Sequence, residues 1–290
     1  MRLLLVEWRR LRTRRIVRVF LVIALLNIVV SGVWVFMRSN RDLKGAEAAR
    51  TAQVERCLEQ FGPRPPGAGF DPGPRFCENS EARDPRFHLA DLGRIFEALS
   101  LVLTFSMWGL AASFIGAEWE AGTVGMLLTH EPRRLRVLAA KAAVAVGFAV
   151  VATTILLGLL SLALMPAAIV RGTTEGASGA WIGDTAGLGL RLIAMAGLAA
   201  LFGFSLATAA RRTSVAIGVL LLAFLFEMII GQLAPGWIKW QFTQNLTRFA
   251  SRANDFPEGR SIGSAGILLS IYAAGVFTLT ALGFKRRDVA

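Results

Sequence analysis

The sequence has few of the residues and motifs that carry enzyme chemistry. It contains only two cysteines and two histidines among 290 residues. It has no Gly-x-x-x-x-Gly-Lys-Ser/Thr phosphate loop, no His-Glu-x-x-His motif, no Cys-x-x-Cys pair and no nucleophile elbow. These absences argue against a nucleotide site and against a metal-dependent intramembrane hydrolase. We therefore predict that this chain is not an enzyme and has no catalytic residue, metal site or cofactor of its own.

Apolar residues, in contrast, are abundant. They make up 54% of the chain, and the mean hydropathy is +0.53. Runs of about 20 apolar residues recur, which is the length a helix needs to cross a bilayer. Because backbone polar groups at that depth must bond within helices, we predict an all-α integral membrane protein with one six-span domain over residues 1–290. The predicted spans are residues 16–37, 92–115, 138–165, 186–209, 213–232 and 263–284.

The first apolar run raises the question of a signal peptide. It is longer than the apolar core of such a peptide, and no small-x-small cleavage site follows it. We therefore predict that it is a retained span.

Charge is distributed unevenly among the segments outside these runs. Residues 1–18, 116–141, 211–212 and 285–290 hold 16 of the 32 basic residues but only 5 of the 20 acidic ones. The positive-inside rule predicts that these segments, and so both termini and the tail 285–290, are cytoplasmic. Anionic lipid head groups are sufficient partners for this charge, so we predict no nucleic-acid partner.

The first 15 residues are amphipathic. Leu4, Trp8 and Leu11 recur at helical spacing, and arginines fill the other faces. We predict an interfacial helix over residues 1–15, although a basic flank that merely orients the first span is the alternative. The arginines expected to contact lipid phosphates are Arg9, Arg10 and Arg12 here, with Arg133 and Arg134 in the next cytoplasmic segment.

Two outer segments are predicted. Residues 38–91 form a loop too long for a simple connector, and both cysteines, Cys57 and Cys77, lie in it. An oxidising exterior would allow these two to form a disulfide, and two unpaired thiols are the alternative. Residues 233–262 mix tryptophan with lysine and glutamine, which is typical of a segment resting in the outer membrane interface.

Polar residues inside spans are rare and worth naming. Asn27 lies in the first predicted span and Glu227 in the fifth. We expect both to be candidates for a transport path or gate. For Glu227 the alternative is a structural acid paired with Arg191 or Arg94.

The loop over residues 116–136 has a pattern of its own, EWEAGTVGMLLTHEPRR. The pair Gly122-Thr123 can end one helix and start the next, with the Thr hydroxyl accepting from free N–H groups. Apolar residues then share one helical face, and Pro132 stops the helix. Such a short helix fits a groove on a soluble partner, and an ordinary inner loop is the alternative. The residues predicted to contact the partner or shape this helix are Glu118, Glu120, Gly122, Thr123, Val124, Leu127, Leu128 and Pro132.

With six spans, this loop resembles the signature of the ABC-2 type transporter permease family. The matching positions are Glu120, Gly122, Thr123, Leu127, Pro132, Arg133 or Arg134, and Lys141. The basic amphipathic start resembles that family's elbow helix, and the ending LGFKRRDVA resembles its common tail.

The resemblance implies the membrane subunit of an ATP-driven exporter, with residues 116–136 as its coupling helix. It also implies the partners: two ABC ATPase subunits that bind ATP and Mg²⁺, and a second copy of the chain or a related permease. Together with an Arg to Lys ratio of 28 to 4, it indicates a bacterial plasma membrane protein. The cargo expected is a hydrophobic or amphipathic drug, antibiotic, peptide or lipid, and no residue selects among them.

Two other functions stay open. A gradient-driven secondary transporter or channel is expected to have paired broken helices or several charges at the membrane midplane, and this chain offers chiefly Glu227. A membrane sensor or immunity protein would bind its ligand through the outer loop that holds the two cysteines.

Overall fold

A computed structural model describes residues 2–39, 48, 51–52, 54–57, 59, 86–130, 133–252 and 260–286. Within these ranges almost every residue is helical, and the only β-pairing is one isolated bridge between His88 and Thr173. The helices are α1 (Arg2–Thr13), α2 (Arg15–Arg38), α3 (Leu92–Glu120), α4 (Thr123–His130), α5 (Arg134–Pro166), α6 (Gly179–Ala210), α7 (Thr213–Leu233), α8 (Phe242–Ala250) and α9 (Ile262–Arg286). Three short turns complete them: 3₁₀ turns at Leu89–Asp91 and Pro235–Trp240, and a π-helical turn at Ala167–Arg171 that follows α5.

Six of these helices (α2, α3, α5, α6, α7 and α9) are long and apolar enough to cross a membrane. The predicted all-α architecture with six candidate spans is thus confirmed. Several helices run past the apolar segment: α3 continues from residue 115 to Glu120, and α6 begins at Gly179 instead of residue 186. The reason is that apolar composition marks the depth of the hydrocarbon, whereas the hydrogen-bond ladder continues into the polar flanks.

The chain divides into two compact units. The first comprises Met1–Leu26, Leu92–Leu159 and Gly179–Ala290, and the second comprises Asn27–Asp91 and Leu160–Ser178.

In the first unit, α3 and α6 form the central packed pair. At Gly203 of α6 a Cβ atom would collide with the carbonyl oxygen of Trp108 in α3, so glycine allows the two backbones to approach closely. Within the most apolar 18-residue stretch of each helix, 67% of the residues are buried in α6 and only 6% in α7. The core of this unit therefore lies on α6, and α7 presents most of its side chains to its surroundings.

In the second unit, Ser39 connects two chain segments. Its hydroxyl donates to the carbonyl oxygen of Arg171 (2.9 Å) and accepts from the backbone N–H of Phe87 (3.0 Å). The Arg171 guanidinium lies 4.7 Å from the centre of the Phe36 ring. Cys57 lies in the described helical stretch 54–57, whereas Cys77 lies outside the described residues, so the predicted disulfide stays a prediction.

Candidate functional site

The predicted break between two helices lies where the sequence placed it. Helix α3 ends at Glu120, Gly122 has a φ of +68°, and α4 begins at Thr123. A positive φ of this size favours glycine because a Cβ atom would be strained there. The Thr123 hydroxyl donates to the carbonyl oxygen of Glu118 (3.1 Å), so it binds the end of α3, and its predicted role as acceptor for the N–H groups of α4 stays a prediction.

Four charged side chains form a cluster next to this turn; three of them are buried and the fourth, Arg14, is partly exposed. The Lys141 ammonium nitrogen lies 2.7 Å from Oε2 of Glu7 and 2.7 Å from Oε2 of Glu118. The other Glu118 oxygen, Oε1, lies 3.1 Å from Nη2 of Arg14. We call Glu7, Arg14, Glu118 and Lys141 the ion cluster. It joins α1, α3 and α5 in the first unit.

Three members of the ion cluster are buried, so each of these charges requires its partner. Lys141 is 1% exposed, Glu7 2% and Glu118 8%. Arg14 also donates to the carbonyl oxygen of Ser113 (3.0 Å). The cluster holds two cations and two carboxylates, so its formal charge is balanced, and removing one member would leave a buried charge without its partner.

The ring of Phe114 lies beneath both cations. It is 5.0 Å from the Arg14 guanidinium carbon and 5.4 Å from the Lys141 nitrogen. Both distances are within the range of cation–π attraction, which adds to the ion pairing.

The orientation of Glu118 differs from the predicted one. The sequence predicts that Glu118 faces a soluble partner, but its carboxylate points into the chain and binds Lys141 and Arg14. Glu120 is exposed, and its Oε1 accepts from the backbone N–H of Thr213 (3.1 Å), the first residue of α7. A carboxylate at a helix N-terminus is favourable, so Glu120 also has a role within the chain.

The predicted apolar face of α4 is corrected at one position. Val124 is only 2% exposed, so it packs against the chain itself, whereas Met126 is 70% exposed. Leu127 and Leu128 belong to α4, but their side chains are not among the described ones, and Pro132 lies outside the described residues. Among the described side chains of α4, Met126 is therefore the large apolar one that is exposed.

The predicted lipid-facing arginines are mostly at the surface. Arg9, Arg10, Arg12 and Arg133 are exposed and Arg134 is half-buried, so their contacts with lipid phosphates stay predictions. Trp8 of the apolar stripe packs on the ring of Phe148 in α5 at a centroid distance of 6.0 Å. Helix α1 is thus docked on the protein through Trp8 and Leu11, whereas Leu4 is exposed.

Glu227 has a clear structural role. One of its carboxylate oxygens accepts from the backbone N–H of Phe242, and the other accepts from that of Thr243 (2.8 Å). The side-chain amide of Gln241 donates to the Glu227 carbonyl oxygen (2.8 Å). Glu227 therefore caps the N-terminus of α8 from the neighbouring helix α7.

The predicted arginine partners of Glu227 are not found among the described contacts. Arg191 donates to the backbone carbonyl oxygens of Phe249 (3.3 Å) and Ser251 (2.9 Å) instead. Both ends of α8 are consequently held by charged side chains from other helices. Asn27, the other path candidate, lies in α2 in the second unit.

Glu227 also lines an apolar cavity of about 550 Å³ between α3, α6, α7, α8 and α9. The rings of Trp108 and Phe202 stack in its wall at 5.5 Å, and Phe242 meets Phe202 edge-on at 5.1 Å. Among the residues that line this cavity, Glu227 is the one charged side chain. The volume is in the range of small-molecule sites, and the aromatic wall suits an apolar ligand.

Comparison with known proteins places the chain in a family. Residues 83–290, more than half of the chain, match a family model described as protein of unknown function (DUF2705). The chain belongs to the DUF2705 family. No curated protein matches it. In this DUF2705 protein the match includes Glu118, Lys141 and Glu227, whereas Glu7 and Arg14 precede it.

Sequence reasoning missed the ion cluster of this DUF2705 protein. Glu7 is the single acid of the amphipathic start, and it lies three residues after Leu4 and four before Leu11. That spacing places a carboxylate on the apolar face of a helix, which is a signal for a buried ion pair. Lys141, seven residues into α5, is the matching cation.

Proposed function

We propose that the chain is the membrane-spanning subunit of an ATP-driven exporter. In this proposal two such chains, or one with a related permease, form the transport assembly in a bacterial plasma membrane with both termini cytoplasmic. Two separate ABC ATPase subunits, which hold ATP and Mg²⁺, dock on the hairpin of α3 and α4. The ABC-2 resemblance of the same segment supports this reading.

The observation that carries the proposal is the attachment of the α3–α4 turn to two further helices, α1 and α5. Glu118 lies on the last turn of α3, next to the turn into α4, and the ion cluster binds it to α1 and α5. Because these contacts are short, buried and balanced in charge, a force on α4 would move α1, α3 and α5 together. A rigid link of this kind is what an element pushed by a soluble motor requires.

The apolar cavity supports a hydrophobic or amphipathic cargo. Its wall is mainly aromatic and aliphatic, and its one carboxylate, on Glu227, is already bonded to two backbone N–H groups. That engagement also weighs against a gradient-driven carrier that would load an ion on Glu227.

The test is to co-express the chain with candidate ABC ATPases from its own genome, purify the complex and measure ATP hydrolysis in lipid. Met126→Asp places a charge on the exposed face of α4 and is expected to reduce co-purified ATPase at least tenfold, since a buried unpaired charge at an interface costs several kcal/mol. Ser214→Asp is the matched control, because it adds the same charge at an exposed site on the neighbouring turn. It should leave the complex intact.

Two outcomes would contradict the proposal. One is that the wild-type chain forms no complex with the ATPase. The other is that the chain alone, in vesicles without ATPase, transports a solute down an ion gradient, which would favour a secondary transporter.

A further inference from the structure

A second cavity, of about 330 Å³, lies at the end of the first unit that carries the α3–α4 turn. Its walls come from α3, α6 and α9 and are mostly apolar, with Leu206, Val276 and Leu279 along the sides. Two polar side chains of a different kind also line it: Arg211, which lies between α6 and α7, and Trp119 of α3. We call this the Arg211 cavity.

Arg211 is held in an unfavourable backbone conformation. Its φ is +58°, and it is the one non-glycine residue with a positive φ among those the structure describes. Side chains with a Cβ atom adopt this region rarely and at an energetic cost. The conformation places the guanidinium 4.9 Å from the centre of the Trp119 ring, at the mouth of an apolar space.

The cavity offers hydrogen-bond donors and no negative charge. In the described part of the chain no carboxylate pairs with Arg211, and the buried indole Nε1 of Trp119 has no acceptor. The two threonine hydroxyls in the wall already donate to backbone carbonyls, Thr208 to Phe204 (2.7 Å) and Thr280 to Ser205 (3.3 Å). A ligand that fits this chemistry has an anionic head and an apolar tail.

We propose that the Arg211 cavity binds an anionic phospholipid. The headgroup phosphate accepts from the Arg211 guanidinium, and an acyl chain lies along α6 and α9. A phospholipid satisfies both the Arg211 guanidinium and the apolar wall, whereas a free phosphate would leave the wall uncovered. Basic residues at a membrane surface attract anionic lipids, and the apolar wall of this cavity can also bind the acyl chain of the lipid. The inference goes beyond transport and does not depend on the ATPase.

The test uses the full chain in bilayer discs of phosphatidylcholine with a minority of phosphatidylglycerol. Native mass spectrometry then measures which lipid stays bound. The wild type is expected to retain phosphatidylglycerol preferentially. Arg211→Gln keeps the backbone strain but removes the charge, and it should weaken that retention roughly tenfold or more, as expected for loss of a charge-assisted hydrogen bond.

The neighbouring arginine supplies the control. Arg212 is exposed, so Arg212→Gln removes one charge from the same turn and should change retention by less than about twofold. Arg211→Gly removes both the charge and the strain. It should lose phosphatidylglycerol while its thermal midpoint in pure phosphatidylcholine is equal to or above that of the wild type.

Binding of the acyl chain is tested separately at Gly283, which lines the cavity and at which an added Cβ atom would meet open space. Gly283→Leu adds a side chain whose Cβ atom meets no other atom within 4 Å and should reduce lipid retention by occupying the cavity, even though Arg211 is intact. Gly147→Leu, at an equally open glycine of α5, is the control and should retain the lipid.

Three results would overturn the proposal. Equal losses in Arg211→Gln and Arg212→Gln would indicate diffuse surface charge. Unchanged retention of phosphatidylglycerol in Gly283→Leu would show that the acyl chain does not bind in the cavity. Displacement of phosphatidylglycerol from the wild type by inorganic phosphate would indicate a simple anion site.

Discussion

Lys141 is the residue on which the ion cluster depends most. Its ammonium group bonds to two carboxylates, one from α1 and one from α3, and it is 1% exposed. Buried ion pairs contribute little net stability compared with apolar replacements, but removing one partner leaves an uncompensated charge. The importance of Lys141 therefore lies in what its loss would expose.

Replacing Lys141 with methionine tests this directly. Among the described ion pairs, the variant leaves Glu7 with Arg10 and Glu118 with Arg14, and we expect a loss of about 3–5 kcal/mol in the free energy of unfolding. Thermal unfolding in detergent, followed by tryptophan fluorescence, measures the change.

Two further variants frame the result. Arg136→Met removes an exposed cation from the same helix and should change stability by less than about 1 kcal/mol. Adding Glu7→Gln to Lys141→Met restores the charge balance and should recover part of the loss. A Lys141→Met protein as stable as the wild type would show that the cluster is not a tight unit.

At the scale of elements, α8 is a short helix held in place by side chains from longer ones. It has nine residues, too few to be stable as an isolated helix, so its caps and contacts decide whether it forms. Glu227 of α7 caps its N-terminus, and Arg191 of α6 binds carbonyl oxygens at its C-terminal end.

Glu227→Gln should loosen the start of α8. Glutamine has one acceptor oxygen and no charge, so we expect a local loss of about 1–2 kcal/mol. Hydrogen exchange of the amides of Phe242 and Thr243 should then accelerate roughly 5- to 30-fold. The exposed acid Glu175 offers a control, since Glu175→Gln should leave those amides unaffected. Unchanged protection in Glu227→Gln would contradict the capping role.

The elements also show what the sequence could predict. Six spans and the break at Gly122 depend on local composition and spacing, and the structure has both. The partners of Glu118 and Glu227 depend on which helices meet in space. Glu7 and Lys141 are 134 positions apart, so no window along the chain contains the cluster. The carboxylate of Glu227 accepts from backbone N–H groups of the short helix α8, and a contact of this kind cannot be predicted from the pattern of charges along the sequence.

At the scale of the whole molecule, one helix of the first unit, α3, connects two features. The α3–α4 hairpin is attached to α1 and α5 through the ion cluster, and α3 also lines the cavity that holds Glu227. One helix thus connects the proposed docking element to the proposed cargo site. With 29 residues, α3 is long enough to reach from the turn into α4 to the cavity that Glu227 lines.

The central claim is that α4 contacts an ABC ATPase. The most direct measurement introduces a photo-crosslinking amino acid at position 126 of the full chain, co-expressed with a candidate ABC ATPase from its own genome, and repeats it at the exposed control position 214. We expect a covalent product of the two proteins from position 126, identified by mass spectrometry, and little from position 214. Absence of that product from position 126, in membranes where both proteins are present, would contradict the account.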